Sequence, residues 1–438
     1  MTPRQQPIDV FTLRRGFFIP VIALALCTIR LLRLVQLYSI NVFVGDHWVY
    51  HEPTLFRRVS WWAIFRWESN PWREGIGGLL AVWVEPFFRW NSRAESFIST
   101  SLLVLGCILA LWLKTRLIRP LEFWDLLIPV FVITPAGYET TVISTHFSHG
   151  PLPFVLLMGI SLAWTVSNPR ARYLLIAVLT ALSISTGFGF IAGIIVPALL
   201  FVELYRTQVE TRVWPIAALI IVGLAWILFL THYSPTNTGC PAEAIHTRNP
   251  FHFFLFVAFM FANAVGLKAP LYLVPTIVFG SLLLIFVLVI WMGSLHYLKS
   301  SPVPFLLVSF SLTFAAATSL GRMCLGLGAA VGSRYIIYLT PAFLGMYLFA
   351  LSLERKKGIS LLLMLSGLAL GCGVTHSVDR DAMIASSSLR TNWRDCYLRK
   401  HDLVGCNKLT GATAQTYPGT IQDKIDFLER AHLNLFAD

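Results

Sequence analysis

The segment "SINVFVGDHWVYHEP", Ser39 to Pro53, sets Asp46, His47, His51 and Glu52 within a few residues of one another. Each side-chain type has its own chemistry. A carboxylate in a partly dry place can take a proton from a hydroxyl, so Asp46 and Glu52 are candidate general bases. His47 and His51 have the i, i+4 spacing of a helical metal clamp. Pro53 follows them and no third ligand is evident, so no metal is expected. Late in the chain, "GRMCLGLGAAVGSRYIIY" offers Arg322 and Arg334. Arginine suits bidentate binding of phosphate, against the plainer reading in which Arg334 snorkels to a membrane interface. Between these stretches, "GYETTVISTHFSHGP" supplies Glu139, His146 and His149, which either line the same cavity and help bind an acceptor or sit in a short exposed turn.

The elements that must carry these residues are membrane helices. Charged residues are 13% of the 438 and hydrophobic residues 56%, with mean hydropathy +0.68. Soluble domains carry roughly 25% charge. Apolar runs close to the ~20 residues that cross a bilayer recur along the chain. The reading is an all-α polytopic membrane protein of about eleven spans, near 17–40, 97–113, 121–136, 151–167, 173–186, 187–203, 214–231, 270–292, 303–320, 335–353 and 358–375. Residues 251–266 form either an extra span or an interfacial helix. The first run, "GFFIPVIALALC", is followed by Arg30 and Arg33 rather than a small-residue cleavage site, so it reads as a retained helix.

Basic residues set the expected orientation. One set of short loops holds Arg4, Arg14, Arg15, Lys114, Arg116, Arg119, Arg170, Arg172, Arg206, Arg212, Lys299, Arg355, Lys356 and Lys357. The opposite set holds only Arg248, Arg322 and Arg334, with Lys268 assignable to either. Lysine and arginine mark the cytoplasmic side, so the N-terminus is expected inside and the C-terminus outside. The net charge of +12 is then mostly a topology signal. No basic stripe with interleaved aromatics appears, which argues against a nucleic-acid partner.

Two segments leave the bilayer on the outer side: a long first loop, 41–96, and a tail, 376–438, set against a membrane domain of residues 1–375. The loop is rich in tryptophan, and its acids balance its arginines, as in amphipathic helices lying on a membrane. A plain aromatic belt would need no paired acids. In the tail, the separation of Cys396 and Cys406 is one a small loop can close, and an oxidising exterior predicts a disulfide. Cys27, Cys107 and Cys324 fall in or near spans and read as small apolar residues; Cys240 is either free or paired. Walker, GxGxxG and nucleophile-elbow motifs are absent, so no cofactor is expected and the substrate must arrive already activated.

A long outer loop after the first span, with an acid near its start, resembles the GT-C superfamily of membrane glycosyltransferases. "VGDHW" supplies that acid as Asp46, with Glu52 the second choice. The Arg-Gly loop followed by Ser333-Arg334-Tyr335 at the entry to a late span, and the tail "TYPGTIQDKIDFLERAHLNLF", are similar to bacterial members of that type. Such relatives carry an Asn-Glu-His-Arg-like run in the first loop; here "SNPWREG" keeps Asn70, Arg73 and Glu74 without the histidine. The resemblance implies a polyprenyl-phosphate sugar donor, a glycan or lipid-linked acceptor, and reaction among membrane lipids at the outer face of a bacterial plasma membrane. It also implies Arg334, Arg322 and Tyr335 as donor-phosphate ligands, and Glu139, His146 and Arg73 on the acceptor side. Two other classes fit the same features. A flippase or transporter needs charged residues within its spans and paired broken helices, and the spans here are almost free of charge. A polysaccharide polymerase or ligase relies on a large loop late in the chain, whereas this one is early.

Overall fold

The computed structural model describes residues 16–57, 59–69, 72–118, 120–143, 146–206, 208–234, 249–268 and 273–437. Arg4, Arg14, Arg15, Asn70, Arg119, Cys240 and Arg248 lie outside them. Among the described residues the regular elements are helical apart from a hairpin of two two-residue strands, Glu68–Ser69 and Trp72–Arg73, that pairs Glu68 with Arg73. Among the described residues, eight helical segments are long and apolar enough to cross a membrane: Phe18–Tyr38, Ser92–Leu117, Gly187–Arg206, Val209–Leu230, Leu273–Lys299, Val303–Leu325, Ser333–Ser352 and Arg355–Lys400. This is the pattern of a polytopic membrane protein.

The other three expected spans take shorter forms. Residues 121–136 become 3-10 turns around the six-residue helix Leu127–Val132, because Pro129 and Pro135 cannot donate to a longer ladder. Pro151–Ala163 and Pro169–Ile184 each open on a proline. At ~1.5 Å per residue they reach only ~20 and ~24 Å, short of a ~30 Å hydrocarbon core. The helix Pro250–Ala264 is buried at every position from Leu255 onward. It therefore packs within protein rather than lying on a surface.

One helix organises the rest. Ile336–Ser352 is buried continuously from Ile336 to Ala350, as expected of a helix apolar on every face. Pro341 interrupts its ladder, and Ser311 mends the break by donating to the Tyr338 carbonyl at 2.8 Å and accepting the Ala342 N–H at 2.9 Å. The turn that opens this helix, Ser333–Tyr335, carries the Ser-Arg-Tyr motif.

The loops sort to two ends of the bundle. At one end the first loop, the segment around Glu139, the Ser333 turn and the tail all meet. Gly45 N–H donates to the Thr416 carbonyl at 3.0 Å, Lys424 Nζ to the Trp48 carbonyl at 2.9 Å, and Asn434 N–H to the Arg89 carbonyl at 2.9 Å. Buried Lys268 pairs with Asp379 at 3.0 Å, which puts it at this end. At the other end Arg206 reaches the Leu298 carbonyl at 2.8 Å. Lys114 there is not a free loop cation, since it is buried against Asp125 at 2.8 Å.

Loop and tail share a core in which Val42, Phe43 and Trp48 pack with Trp393, Tyr397 and Tyr417. Trp393 and Tyr417 stack with centroids 3.8 Å apart. The tail is thus half of a module whose other half is the first loop. On that loop's surface Trp61, Trp62, Trp83 and Phe87 remain exposed, as rings at headgroup depth would be.

Cys396 and Cys406 are disulfide-bonded, ten positions apart with Cα atoms 5.8 Å apart. Cys324 is also disulfide-bonded, which corrects its reading as a small apolar residue. Cys27, Cys107 and Cys372 are free thiols. In intact cells Cys396 and Cys406 are expected to resist a maleimide until reductant is added. Free labelling of both without reductant would show a reduced or inward-facing tail. Closing so short a loop stabilises the tail by about 2–3 kcal/mol.

Candidate active site

Asp46, Glu139, His146, Arg322, Arg334 and Tyr335 line one cavity, of about 920 Å³ including its opening to solvent, together with Tyr50, His149, Phe188 and Tyr338. Five separate segments build it, and those that carry its charged groups are held by identifiable contacts.

Asp46 is fixed by its neighbours on both sides. Gly45 takes a positive φ of 55° and is tied to Thr416 of the tail. The Asp46 carbonyl then accepts N–H groups from Val49 and Tyr50, starting the short helix His47–Tyr50. This leaves the carboxylate partly exposed in the cavity wall, with the Tyr50 hydroxyl 3.5 Å away.

Arg334 owes its position to Glu139. The Glu139 carboxylate accepts from the Arg334 N–H at 2.9 Å and from Ser333 Oγ at 3.1 Å, while its own N–H donates to Ser333 Oγ at 3.0 Å. These bonds pin the entry turn of the central helix. The Arg334 guanidinium lies 5.5 Å from the Tyr335 ring centroid and is exposed to the cavity. Arg322 enters from the end of Val303–Arg322. Glu139, expected on the acceptor side, is thereby placed as a support for Arg334.

The histidines join the cavity to a buried polar cluster behind it. Gly75, at φ 52°, has no room for a side chain, since a Cβ would lie 2.1 Å from the Ser185 carbonyl oxygen; at Gly77 it would lie 2.2 Å from Ser148 Cβ. This close approach sets fully buried Glu74 against the His146 and His149 turn. Glu74 lies 3.9 Å from His146 Nε2 and 3.8 Å from His149 Nε2. The three residues place one potential ligand atom each within 4.8 Å of the others, a set able to hold a metal ion. A second group sits alongside. His47 and His51 stack at 5.9 Å, and both approach Glu95, at 3.6 and 3.9 Å.

Burial dominates the electrostatics of this cluster. It pushes Glu74 up to about 7, with His146 pulling the other way. It drives His146 down to about 3, against the pull of Glu74, and His149 down to about 3 as well. His51 is held well below the usual imidazole range by burial, then by His146 and His47. Burial raises Glu85, helped by neighbouring Glu95. Desolvation favours the neutral form of each group. His51, His146 and His149 are therefore neutral near pH 7, which is the form that ligates metals.

Two expected site residues lie elsewhere. Glu52 is not part of the cavity wall; it pairs with Arg57 at 2.6 Å and with Lys424 of the tail. Burial pushes its carboxyl upward, but hydrogen bonds from Lys424 and Arg57 outweigh that and hold it below the usual range. Its short spacing from Asp46 misleads because a turn at His51 carries it towards the tail. Glu52→Gln is expected to leave the cavity nearly unchanged and to loosen the tail. The check is protease sensitivity of the tail beside ligand binding at the cavity; loss of binding with an intact tail would return Glu52 to the site. Arg73, expected on the acceptor side, is buried instead. It donates to the Thr231 carbonyl at 2.7 Å, pairs with Glu68 at 3.2 Å, and lies over the Phe229 and Tyr233 rings.

Tyr50, Tyr338 and Phe188 carried no sequence signal beyond their aromatic type, and Glu74 was visible only as part of "SNPWREG". Tyr338 reaches the cavity from the central helix, where its hydroxyl donates to the His149 carbonyl and its ring stacks on Phe314 at 4.5 Å. No protein-family model matches this chain, and neither does any curated protein or solved structure.

Proposed function

We propose that this chain is a membrane glycosyltransferase of GT-C type that transfers a sugar from a polyprenyl-phosphate carrier to a hydroxyl acceptor at the outer membrane face. The observation that carries this reading is the lining of one cavity: a partly exposed carboxylate, Asp46, shares it with two arginines, Arg322 and Arg334, at one end of an apolar helical bundle. A lipid phosphate needs cations at the bilayer edge, and its sugar needs a polar space beside them.

In the proposed reaction Asp46 takes the proton of the acceptor hydroxyl as that oxygen attacks the anomeric carbon. The bond from that carbon to the phosphate oxygen breaks. Polyprenyl phosphate leaves with the bonding electrons, its added negative charge held by Arg334 and Arg322. The expected orientation, with the N-terminus inside, puts the cavity on the outer face. The short helices 127–132, 151–163, 169–184 and 250–264 complete the membrane domain as broken or partial crossings.

The test avoids the need to know the acceptor. Membranes carrying the protein are supplied with radiolabelled polyprenyl-phosphate hexoses, and release of free polyprenyl phosphate is measured beside membranes carrying Asp46→Asn at matched expression. Protein-dependent release supports transfer. Movement of intact labelled lipid across the bilayer without release would instead support a flippase.

A further inference from the structure

We propose that Glu74, His146 and His149 form a zinc site in the wall between the first loop and the cavity. The inference concerns metal binding alone and stands whether or not the transfer reaction is correct.

The first argument is convergence. Two imidazoles and one carboxylate are the ligand set of an open zinc site, with three protein ligands and one further position. Their candidate ligand atoms already lie within 4.8 Å of one another, and Glu74 approaches the two Nε2 atoms at 3.9 and 3.8 Å. At ~2.0–2.1 Å from a tetrahedral ion, ligand atoms sit about 3.3 Å apart. The 3.9 Å approach is made by Glu74 Oε2 and the 3.8 Å approach by Oε1; with the ligand atoms spread over up to 4.8 Å, closing on an ion draws the widest pair together by up to ~1.5 Å, shared among three side chains.

The second argument is the state of the carboxylate. Glu74 is fully buried, and among the described residues neither of its oxygens has a hydrogen-bond partner. A buried carboxylate left that way is costly. A divalent cation at this point would satisfy it, together with His146 Nε2, which also lacks a hydrogen-bond partner among the described residues.

The third argument is that the imidazoles are already oriented. His146 Nδ1 is hydrogen-bonded to Ser148 Oγ. With the Nδ1 proton donated there, the Nε2 lone pair faces Glu74. This is the outer-shell arrangement that fixes the tautomer of a metal-bound histidine. The His149 ring is held by Tyr50, stacked at 4.5 Å and inclined by 12°, and its carbonyl accepts from the Tyr338 hydroxyl. Two imidazoles and a carboxylate, without thiolates, are a set that zinc takes with an open fourth position; ferrous iron takes the same donors, and counting the bound metal by mass spectrometry distinguishes the two. Both histidines border the cavity, so water or a substrate hydroxyl entering there can supply the fourth ligand.

The experiment uses the full chain purified in detergent with a tag that contains no histidine. After EDTA treatment and dialysis, zinc is titrated against a chromophoric chelator, and bound metal is counted by mass spectrometry. About one zinc per chain is expected. Glu74→Gln and His146→Ala should each weaken binding at least about tenfold, the lower end for loss of a metal-supporting group. Gel filtration confirms that each variant remains monodisperse, and cobalt substitution gives a visible spectrum that reports tetrahedral ligation without any assay of activity. Absence of stoichiometric zinc in the monodisperse parent overturns the proposal. So does zinc retained in Glu74→Gln but lost in His51→Gln, which would place the ion with His47, His51 and Glu95.

Discussion

Asp46→Asn is expected to lower sugar transfer by at least ~100-fold, the effect of removing a positioned general base. Asparagine keeps the volume of the side chain and leaves the Asp46 carbonyl free to accept the Val49 and Tyr50 N–H groups, so the short helix His47–Tyr50 should form as before. What it loses is the ability to accept a proton. Apparent affinity for the lipid donor should change much less than turnover, because the carboxylate does not hold the phosphate. A variant that weakens donor binding and spares turnover would contradict the assignment. The cavity holds one other lining carboxylate, Glu139, and it is the natural rival. Its Oε2 is already engaged by Ser333 Oγ and the Arg334 N–H, so Glu139→Gln should keep most of the turnover. Normal transfer in Asp46→Asn together with loss in Glu139→Gln would move the base to Glu139.

What could be read from the sequence depended on how locally each feature is encoded. Apolar runs announced a membrane protein, because the bilayer demands length and composition from each span separately. Three expected spans came out short where Pro129, Pro135, Pro151 and Pro169 limit the helices. Asp46 and Arg334, which share the cavity wall, stood out because loops in an apolar chain have few reasons to carry charge. Glu74 as a partner of His146 was not legible. Their contact depends on Gly75 and Gly77 letting the first loop press against Ser185 and Ser148, and nothing in the spacing of either stretch announces the other. The shared core of loop and tail escaped for the same reason, since Trp48 and Trp393 meet only in three dimensions. Arg73 and Glu52 show the opposite failure. Arg73 was singled out by the resemblance of "SNPWREG" and Glu52 by its closeness to Asp46, and each has structural partners away from the cavity: Thr231 and Glu68 for one, Lys424 and Arg57 for the other.

Arg334→Ala is expected to act on the other half of the reaction, weakening donor binding by ~10- to 100-fold, the loss of ~1.5–3 kcal/mol of net charge-assisted hydrogen bonding. The backbone N–H that Glu139 accepts remains in alanine, so the Ser333–Tyr335 turn should persist and the effect should belong to the guanidinium. Arg334→Lys separates charge from geometry. Lysine restores the positive charge but not the planar fork, so it should recover part of the affinity and little of the turnover if the leaving phosphate is held bidentately. Salt provides an independent readout. A phosphate contact in an open cavity is partly screened, so the parent's donor affinity should fall as ionic strength rises, and Arg334→Ala should flatten that slope. Glu139→Ala should resemble a weaker Arg334→Ala, because it frees the turn that carries the arginine. If Arg334→Ala leaves donor affinity and its salt dependence unchanged, the guanidinium only snorkels at the membrane surface. Arg322, the cavity's other arginine, would then be the phosphate ligand to test in its place.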